Sequence, residues 1–287
     1  MLAIYKKELK GHFTSMTGYV FAFFILLITG FYFHAYNIVG GYPKIGMTLS
    51  AVFFIFLAAI PILTMRVLSE ERKQKTDQLL LTSPVRIESI VTGKYLALVT
   101  VYVIPVLIIA MYPLVLKKFG AVSLPESYTA VLGFFLMGCA NIAVGIFISG
   151  ITESQIIAAV LTFLALFVSY MISGIKTFFP ETAVTALIFF LILMLLAAWL
   201  AGFLMKSKSV GIAVAAVGIC TLLVAYIVKP DVFEGGIQKF LGIFDIYAHF
   251  SNFLNGILDV NGIIYYLSVI AVCLLLTVQT ITRRRWN

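Results

Sequence analysis

Residues 183–204 read AVTALIFFLILMLLAAWLAGFL and contain no Asp, Glu, Lys or Arg. A helix needs about 20 apolar residues to cross a bilayer, and this run supplies them. The same character extends along the chain, because 62% of its 287 residues are hydrophobic and only 11% are charged. Soluble domains are about 45–50% apolar and about 25% charged. The composition therefore excludes a soluble enzyme, a nucleic-acid-binding module and a disordered tail, and it predicts a polytopic α-helical membrane protein.

Eight apolar runs predict eight transmembrane helices. No ten-residue alternating pattern indicates a β-barrel, so we expect an all-α fold. None of the 32 Lys, Arg, Asp and Glu residues falls inside the runs. This argues against a proton-coupled or sodium-coupled carrier, because such carriers keep an ionisable residue within the membrane. The runs lie at about 17–38, 47–65, 95–115, 128–149, 155–173, 183–204, 210–228 and 263–282.

The distribution of basic residues predicts the orientation, because Lys and Arg are enriched in cytoplasmic loops. With the N-terminus inside, 14 of the 20 Lys and Arg residues fall on the cytoplasmic side, while the 12 acidic residues divide equally between the two sides. The inner side then carries the whole formal charge of +8. We therefore expect a multi-pass protein of the cell membrane with both termini in the cytoplasm. The basic residues are loop anchors, and no nucleic-acid partner is expected.

The longest predicted cytoplasmic loop, residues 66–94, reads RVLSEERKQKTDQLLLTSPVRIESIVTGK. Its first part, 69–81, has the charge pattern of a helix that Ser69 can cap and Pro84 ends. A second helix, 85–93, leads directly into the third span. A charged helix that bends back at the membrane face suits docking to a cytoplasmic partner. An ordinary interfacial connector fits the same pattern equally well.

Three segments of the sequence contain short motifs that follow one another in a recognisable order. The loop contains Glu70-Glu71-Arg72, Thr76, Leu79-Leu80, Ser83-Pro84 and Gly93-Lys94, with Lys75 between the charged and leucine parts. The N-terminal stretch 1–16, an expected interfacial helix, contains Tyr5-Lys6-Lys7-Glu8-Leu9-Lys10, and the C-terminal part contains His249-Phe250, Asn252-Phe253 and Arg285-Trp286. In this order the segments resemble type-2 ABC-transporter permeases of the gliding-motility-type branch. Such permeases usually have glycine where this chain has Lys75.

The resemblance implies that residues 1–287 form one permease domain driven by a separate ABC ATPase, and we expect an exporter. In these permeases the first inner loop acts as a coupling helix that fits a cleft on the ATPase. By the resemblance, the residues that contact the ATPase are Glu70, Glu71, Arg72, Thr76, Leu79, Leu80 and Pro84, with Glu153 as a smaller second contact.

The resemblance also implies partners and excludes a cofactor on this chain. The chain has no G-x-x-x-x-G-K-[ST] phosphate loop, so we expect no enzymatic activity of its own, with ATP and Mg bound by the partner ATPase. Three cysteines lie in apolar runs without the spacing of a disulfide framework or metal site. The implied partners are two copies of the ATPase, a second copy of the permease or a paralogue, the lipid bilayer and a membrane-anchored extracytoplasmic subunit.

Small and polar residues recur at helical spacing on the fourth and fifth spans. Such residues allow helices to approach closely and to form hydrogen bonds across the contact. Helix packing explains the pattern, and so does a substrate path at a subunit interface. The residues proposed for that path are Asn141, Gly145, Ser149, Thr162 and Ser169.

The outer segment 229–262 carries a polar stripe every three or four residues on an otherwise aromatic sequence. This pattern predicts an amphipathic helix in the membrane interface. The helix is either a simple anchor or, by the resemblance, a cap on the translocation path. The candidate gate residues are Phe240, Phe244, His249 and Phe250.

Two other function classes remain open. A membrane scaffold or mechanotransmitting subunit would use the ATP hydrolysis of a partner without moving a solute. An uncoupled channel is disfavoured by the lack of charged residues in the predicted spans. An intramembrane protease is excluded, because the sequence has neither an H-E-x-x-H motif nor an intramembrane carboxylate pair.

Overall fold

The computed structural model describes residues 1–76, 85–120, 122–204 and 207–286. Every regular element in these ranges is helical. A π-helical turn, Phe33–Val39, continues the second helix, and two 3₁₀ turns lie at Lys176–Phe178 and Pro230–Phe233. The α-helices are α1 (Leu2–Thr14), α2 (Thr17–Tyr32), α3 (Ile45–Thr64), α4 (Ser69–Lys73), α5 (Ile87–Ile109), α6 (Tyr112–Lys117), α7 (Leu124–Ile151), α8 (Gln155–Ile175), α9 (Ala183–Leu204), α10 (Lys208–Val228), α11 (Gly236–Gly242), α12 (Ile246–Leu254) and α13 (Val260–Trp286).

Within the described ranges, eight helices are long and apolar enough to cross a membrane, which confirms the predicted all-α polytopic fold. Each corresponds to one of the apolar runs. The orientation of the termini stays a prediction. The spanning helices are Thr17–Val39, Ile45–Lys73, Ile87–Lys117, Leu124–Ile151, Gln155–Phe178, Ala183–Phe203, Gly211–Val228 and Val260–Arg283.

These helices extend beyond the apolar runs, and the third span shows what lies in the extension. Helix α5 begins at Ile87, so Lys94 lies two turns inside it, where its side chain is only 2% exposed. Lys94 therefore belongs to the helix of the third span and not to an irregular part of the loop before it. The apolar run begins just after Lys94 because a lone ammonium group is costly to bury, whereas the structure supplies this one with carboxylate partners.

The chain forms two compact units, of which the first comprises Met1–Val168 and Ile246–Asn287. Helix α7 is its centre and packs against α3, α5, α12 and α13. Three glycines on α7 explain this close packing. A Cβ atom at Gly133 would overlap the side chain of Phe253, and one at Gly138 or Gly145 would overlap that of Tyr102 or Thr64.

An aromatic cluster fills the space around α7 in the first unit. Phe56, Tyr102, Phe134 and Phe250 are fully buried, and their rings contact one another or share a neighbour. The Tyr102 hydroxyl donates to the Phe134 carbonyl oxygen at 2.7 Å, so the buried phenol has the partner that it requires. The core therefore joins α3, α5, α7 and α12.

The second unit, Ser169–Asp245, is built on the helical hairpin of α9 and α10. Near the bend of the hairpin, a Cβ atom at Gly202 would lie only 3.3 Å from the Cα atom of Gly211, so the two backbones nearly touch. Ala186, Phe233 and Ile237 form a small buried core in this unit. Most of the apolar surface of α9 and α10 is exposed, as is usual for helices that face lipid.

The outer segment 229–262 is not one continuous helix, so that prediction is wrong. It is divided into a 3₁₀ turn and the short helices α11 and α12, with a break at 243–245. Gly235 and Gly256 adopt φ values of 63° and 79°, which turn the chain out of the helical conformation. Asp245 is fully buried at the break, where its carboxylate accepts hydrogen bonds from Lys176 at 2.7 Å and Ser173 at 2.6 Å.

Candidate functional site

Helix α4, the predicted coupling helix, is shorter than expected. It runs from Ser69 to Lys73, so the prediction of a helix over 69–81 is wrong. The Lys75 N–H donates to the Arg72 carbonyl at 3.0 Å, and the Thr76 N–H donates to the Glu71 carbonyl at 2.9 Å. These two bonds form a Schellman motif, in which Lys75 takes the left-handed conformation with φ 56° and ends the helix. Three predicted contact residues, Leu79, Leu80 and Pro84, lie outside the described residues.

The start of α4 is held by a residue distant in sequence. The predicted cap, Ser69, instead donates its hydroxyl to the Met65 carbonyl and is fully buried. The hydroxyl oxygen of Ser149 on α7 accepts the N–H groups of Leu68 and Ser69, each at 3.2 Å. The first N–H groups of a helix have no acceptor within it, so this side chain satisfies part of that need. Ser149 therefore fixes the start of α4 to the end of α7.

Arg72 makes a second connection between α4 and α7. Its Nη1 donates to the carbonyl of Ile151 at 2.6 Å and to that of Gly150 at 3.4 Å. Its Nη2 contacts Glu153 at 2.9 Å. Carbonyls at a helix C-terminus lack intrahelical partners and carry partial negative charge, which a guanidinium group satisfies. Because Glu153 is 73% exposed, the carbonyl bonds contribute more than the ion pair.

Lys94 joins α4 to two further helices. Its Nζ lies 2.9 Å from Glu8 on α1, 2.8 Å from Glu71 on α4 and 3.0 Å from the Val67 carbonyl, so all three ammonium protons have acceptors. Both carboxylates are more than four-fifths buried. Replacing Lys94 would leave both carboxylates buried without their counter-charge, which is strongly destabilising. We call Glu8, Glu71, Arg72, Lys94 and Ser149 the α4 anchor.

His12 lies one turn after Glu8 on α1, beside the α4 anchor. Burial lowers the pKa of His12 below its ordinary value of 6.5; the charge of Glu8 opposes this effect and that of Lys94 adds to it. The imidazole is therefore uncharged at pH 7. Helix α1 thus contributes Glu8 to the anchor without adding a positive charge beside Lys94.

The predicted coupling residues face in different directions. Glu71 and Arg72 turn inward to the anchor, whereas Lys73, Gln74, Lys75 and Thr76 are exposed. Glu70 is half-buried and accepts a hydrogen bond from Gln74 at 3.3 Å. The exposed residues 73–76, which we call the α4 tip, therefore follow directly on the largely buried Glu71 and Arg72. A displacement of the tip would act on α1, α5 and α7 through charged and hydrogen-bonded contacts rather than through a free loop.

The residues proposed for a substrate path lie in packed surroundings. Asn141 is 1% exposed, and its Nδ2 has no hydrogen-bond partner among the described residues. Gly145 faces Thr64 on α3, and Thr162 donates to the Ala158 carbonyl of its own helix at 2.7 Å. Ser169 donates to the Phe244 carbonyl at 2.6 Å within the second unit. These contacts are typical of helix packing, and the path stays a prediction.

The residues proposed for an outer gate belong to different units. Phe240 and Phe244 contact each other in the second unit, and Phe240 also packs against Phe189 and Phe190. In the first unit, His249 lies 4.5 Å from the Tyr265 ring, and Phe250 is part of the buried aromatic cluster. The gate also stays a prediction. Among the residues described, no group of three or more His, Cys, Asp or Glu side chains is arranged to hold a metal ion.

Two members of the anchor were not among the predicted site residues. Glu8 and Lys94 were part of the family pattern, as the acid of the N-terminal stretch and the final lysine of the loop. An acid among lysines and a lysine beside a span indicate charge pairing only when their three-dimensional proximity is known. The structure supplies that proximity.

Part of the chain matches a known protein family. Residues 32–186 match a family described as ABC-2 family transporter protein. This range covers more than half of the chain and includes α4, α5 and α7, which supply four of the five residues of the α4 anchor. No curated protein and no solved structure matches the chain.

Proposed function

The chain belongs to the ABC-2 family of transporter proteins, and on that basis we propose that it is the transmembrane subunit of an ATP-driven exporter. ATP is hydrolysed by a separate ATPase subunit, and the exposed tip of α4 meets that subunit. The permease converts the movement of the ATPase into rearrangement of its spanning helices. The gliding-motility-type branch and the direction of export rest on the resemblance of the sequence.

The observation that carries this proposal is the threefold contact of Lys94. One buried ammonium group binds Glu8 on α1, Glu71 on α4 and the Val67 carbonyl between α3 and α4. A loop that only connects two spans does not require these buried contacts of Lys94. A helix that transmits force to the spans does require them, because without them the helix would move and the spans would not.

The exposed residues of the α4 tip supply the contact surface. Lys73, Gln74, Lys75 and Thr76 offer donors and positive charge, and Glu70 adds an acidic group beside them. Glu71 and Arg72 support this surface from inside, so we assign them a positioning role. Glu153, which is largely exposed, adds the second contact.

The complete assembly in this proposal has two ATPase copies below a permease dimer. The second permease is a copy of this chain or a paralogue. A membrane-anchored extracytoplasmic subunit completes it, as the resemblance implies. Purification of the tagged chain from its native membrane in a mild detergent tests the partnership. We expect a stoichiometric protein with a phosphate-loop motif; a chain that is recovered alone and without ATPase activity would contradict the proposal.

The role of the anchor is tested separately in the reconstituted complex. Glu71→Gln keeps the size of the side chain but removes the charge that faces Lys94. We expect the ATPase to remain bound while its stimulation by the permease falls. The matched control is Glu88→Gln, which changes an exposed carboxylate in the first turn of α5. Equal stimulation in the two variants would show that the anchor does not transmit force.

A further inference from the structure

A cleft of about 340 Å³ lies where α1 gives way to α2 and approaches the end of α3. Its volume is within the range of about 300–1,000 Å³ that is usual for small-molecule sites. At one end it has the hydroxyls of Ser15 and Thr17 and the guanidinium of Arg66. The remaining lining is apolar or backbone, and it comprises Met16, Val20, Phe21, Phe24, Ala59, Ile62 and Leu63. The lining therefore has a polar, cationic end and a hydrocarbon end.

The polar end of the cleft is available to a ligand. Arg66 is exposed and makes no ion pair or side-chain hydrogen bond with any described residue. The Ser15 and Thr17 hydroxyls lie 2.6 Å apart, and together they can donate to one further acceptor. A phosphate oxygen is such an acceptor, and a guanidinium binds phosphate through parallel N–H groups.

The apolar end of the cleft is exposed at the surface of helices that are long enough to span a membrane. Val20, Phe24 and Ile62 are 61%, 40% and 52% exposed, although they lie on helices long enough to span a membrane. Phe21, Ala59 and Leu63 form the buried floor beneath them. Such a floor and such walls fit an acyl chain rather than a polar solute.

The charge of the neighbouring surface favours a negative ligand. The lysines of α1, Lys6, Lys7 and Lys10, are exposed, whereas its one acid, Glu8, is bound to Lys94. The positive charge therefore faces outward. Exposed basic residues near a membrane attract anionic lipids by about 1 kcal/mol each.

We propose that this cleft binds one anionic phospholipid of the surrounding bilayer, with its phosphate on Arg66, Ser15 and Thr17 and an acyl chain along Val20, Phe24 and Ile62. The lipid is a bound ligand of the permease and not its transported substrate. It occupies the junction of α1 and α2, next to the helix that supplies Glu8 to the α4 anchor. The site is independent of the identity of the ATPase partner.

Native mass spectrometry of the purified full chain tests this site, with phosphatidylglycerol and phosphatidylcholine of identical acyl chains as the probes. We expect one phosphatidylglycerol to bind with a preference of about fivefold over phosphatidylcholine. This ratio corresponds to the attraction of about 1 kcal/mol between one exposed cation and an anionic lipid. Arg66→Gln should lower this preference. The control Arg86→Gln changes an exposed arginine that does not line the cleft, and it should leave the preference unchanged.

A second variant tests the apolar end of the cleft. Val20→Trp fills the space for the acyl chain while leaving Arg66 and both hydroxyls in place. It should lower the binding of both lipids, and because Val20 is exposed the variant should fold normally. An unchanged preference in Arg66→Gln would overturn the proposal. A lipid-free dimer peak that Val20→Trp disrupts would also overturn it, because the cleft would then hold a second copy of the chain.

Discussion

At the residue scale, Lys75 has a backbone conformation that is unfavourable for a residue with a side chain. Its φ of 56° ends α4 in a left-handed turn that favours glycine, because a Cβ atom in this conformation approaches the following carbonyl. We predict that Lys75→Gly stabilises the protein by about 0.5–1 kcal/mol, which corresponds to a rise in the melting temperature of about 1–3 °C. Thermal unfolding of the purified protein measures this. Lys73→Gly, inside α4, should lower the melting temperature, and a fall in both variants would contradict the assigned turn.

Asp259 is the residue for which the structure predicts a dependence of stability on pH. The amide of Asn252 donates to the carboxylate of Asp259 at 2.8 Å, and this bond holds the pKa of Asp259 below its ordinary value of 3.8. Hydrogen bonds from the Gly262 and Asn261 N–H groups and from His249 lower the pKa further, while burial raises it. A lowered folded pKa contributes stability that is present above the unfolded pKa. That stability is lost as the pH falls below about 4 through the folded pKa.

Two substitutions separate the charge of Asp259 from its hydrogen bonds. Asp259→Asn should flatten the loss of melting temperature below pH 4, because it removes the group that titrates. Asp259→Ala should also cost about 1 kcal/mol at pH 7, since the carboxylate accepts the Asn261 N–H at 3.0 Å near the start of α13. Asp231→Asn, at an exposed position, is the control. Parallel pH profiles for wild type and Asp259→Asn would refute the assignment.

At the element scale, the crossing of α3 and α7 depends on the absence of a side chain at Gly145. A Cβ atom there would overlap Thr64, so Gly145→Ala should cost about 1–3 kcal/mol through overpacking. Gly11→Ala, on α1 with nothing within 4 Å, should be neutral or stabilise by up to about 1 kcal/mol. Melting temperatures in one detergent compare the two. Thr64→Ala should recover part of the cost of Gly145→Ala, because it removes Oγ1 and Cγ2 but keeps the Cβ atom at 2.8 Å, and no recovery at all would mean that the cost arises elsewhere.

The same scale shows which elements the sequence could predict. The spans follow from runs of apolar residues that need no tertiary information, and all of them occur as helices. The length of α4 and the start of its helix did not follow, because Ser149, which accepts its first N–H groups, is 80 residues away from Ser69. The break at Asp245 was missed for a similar reason, since its partners Lys176 and Ser173 lie on another element.

At the scale of the whole molecule, the order of motifs indicated a type-2 ABC permease, and the family match supports that coarser assignment, whereas the gliding-motility-type branch stays a prediction. The assignment of roles to charged residues was harder. Hydropathy separates charged residues from spans, so Lys94 was placed in a loop although it is buried in α5. A sequence contains the members of a charge cluster, but their pairing follows from a fold that brings Glu8, Glu71 and Lys94 together.

The orientation of the molecule is the last property that the charge distribution predicts. The end of the first unit that contains α1 exposes Lys6, Lys7 and Lys10. Lys118, which follows α6, lies beyond the other end of α5. Lys and Arg are enriched on the cytoplasmic side of membrane proteins, so the α1 end should face the cytoplasm. The inward-facing acids of the anchor strengthen this asymmetry, since they leave the exposed lysines without compensating charge.

Labelling with a membrane-impermeant thiol reagent tests the orientation, in a background with Cys139→Ala, Cys220→Ser and Cys273→Ala. Both side chains are exposed. If the predicted orientation holds, Lys118→Cys should react in intact cells, whereas Lys7→Cys should react only after permeabilisation. Labelling of Lys7→Cys in intact cells would place α4 outside the cell. A cytoplasmic ATPase could not then reach the α4 tip, so this result would overturn the orientation and the coupling mechanism together.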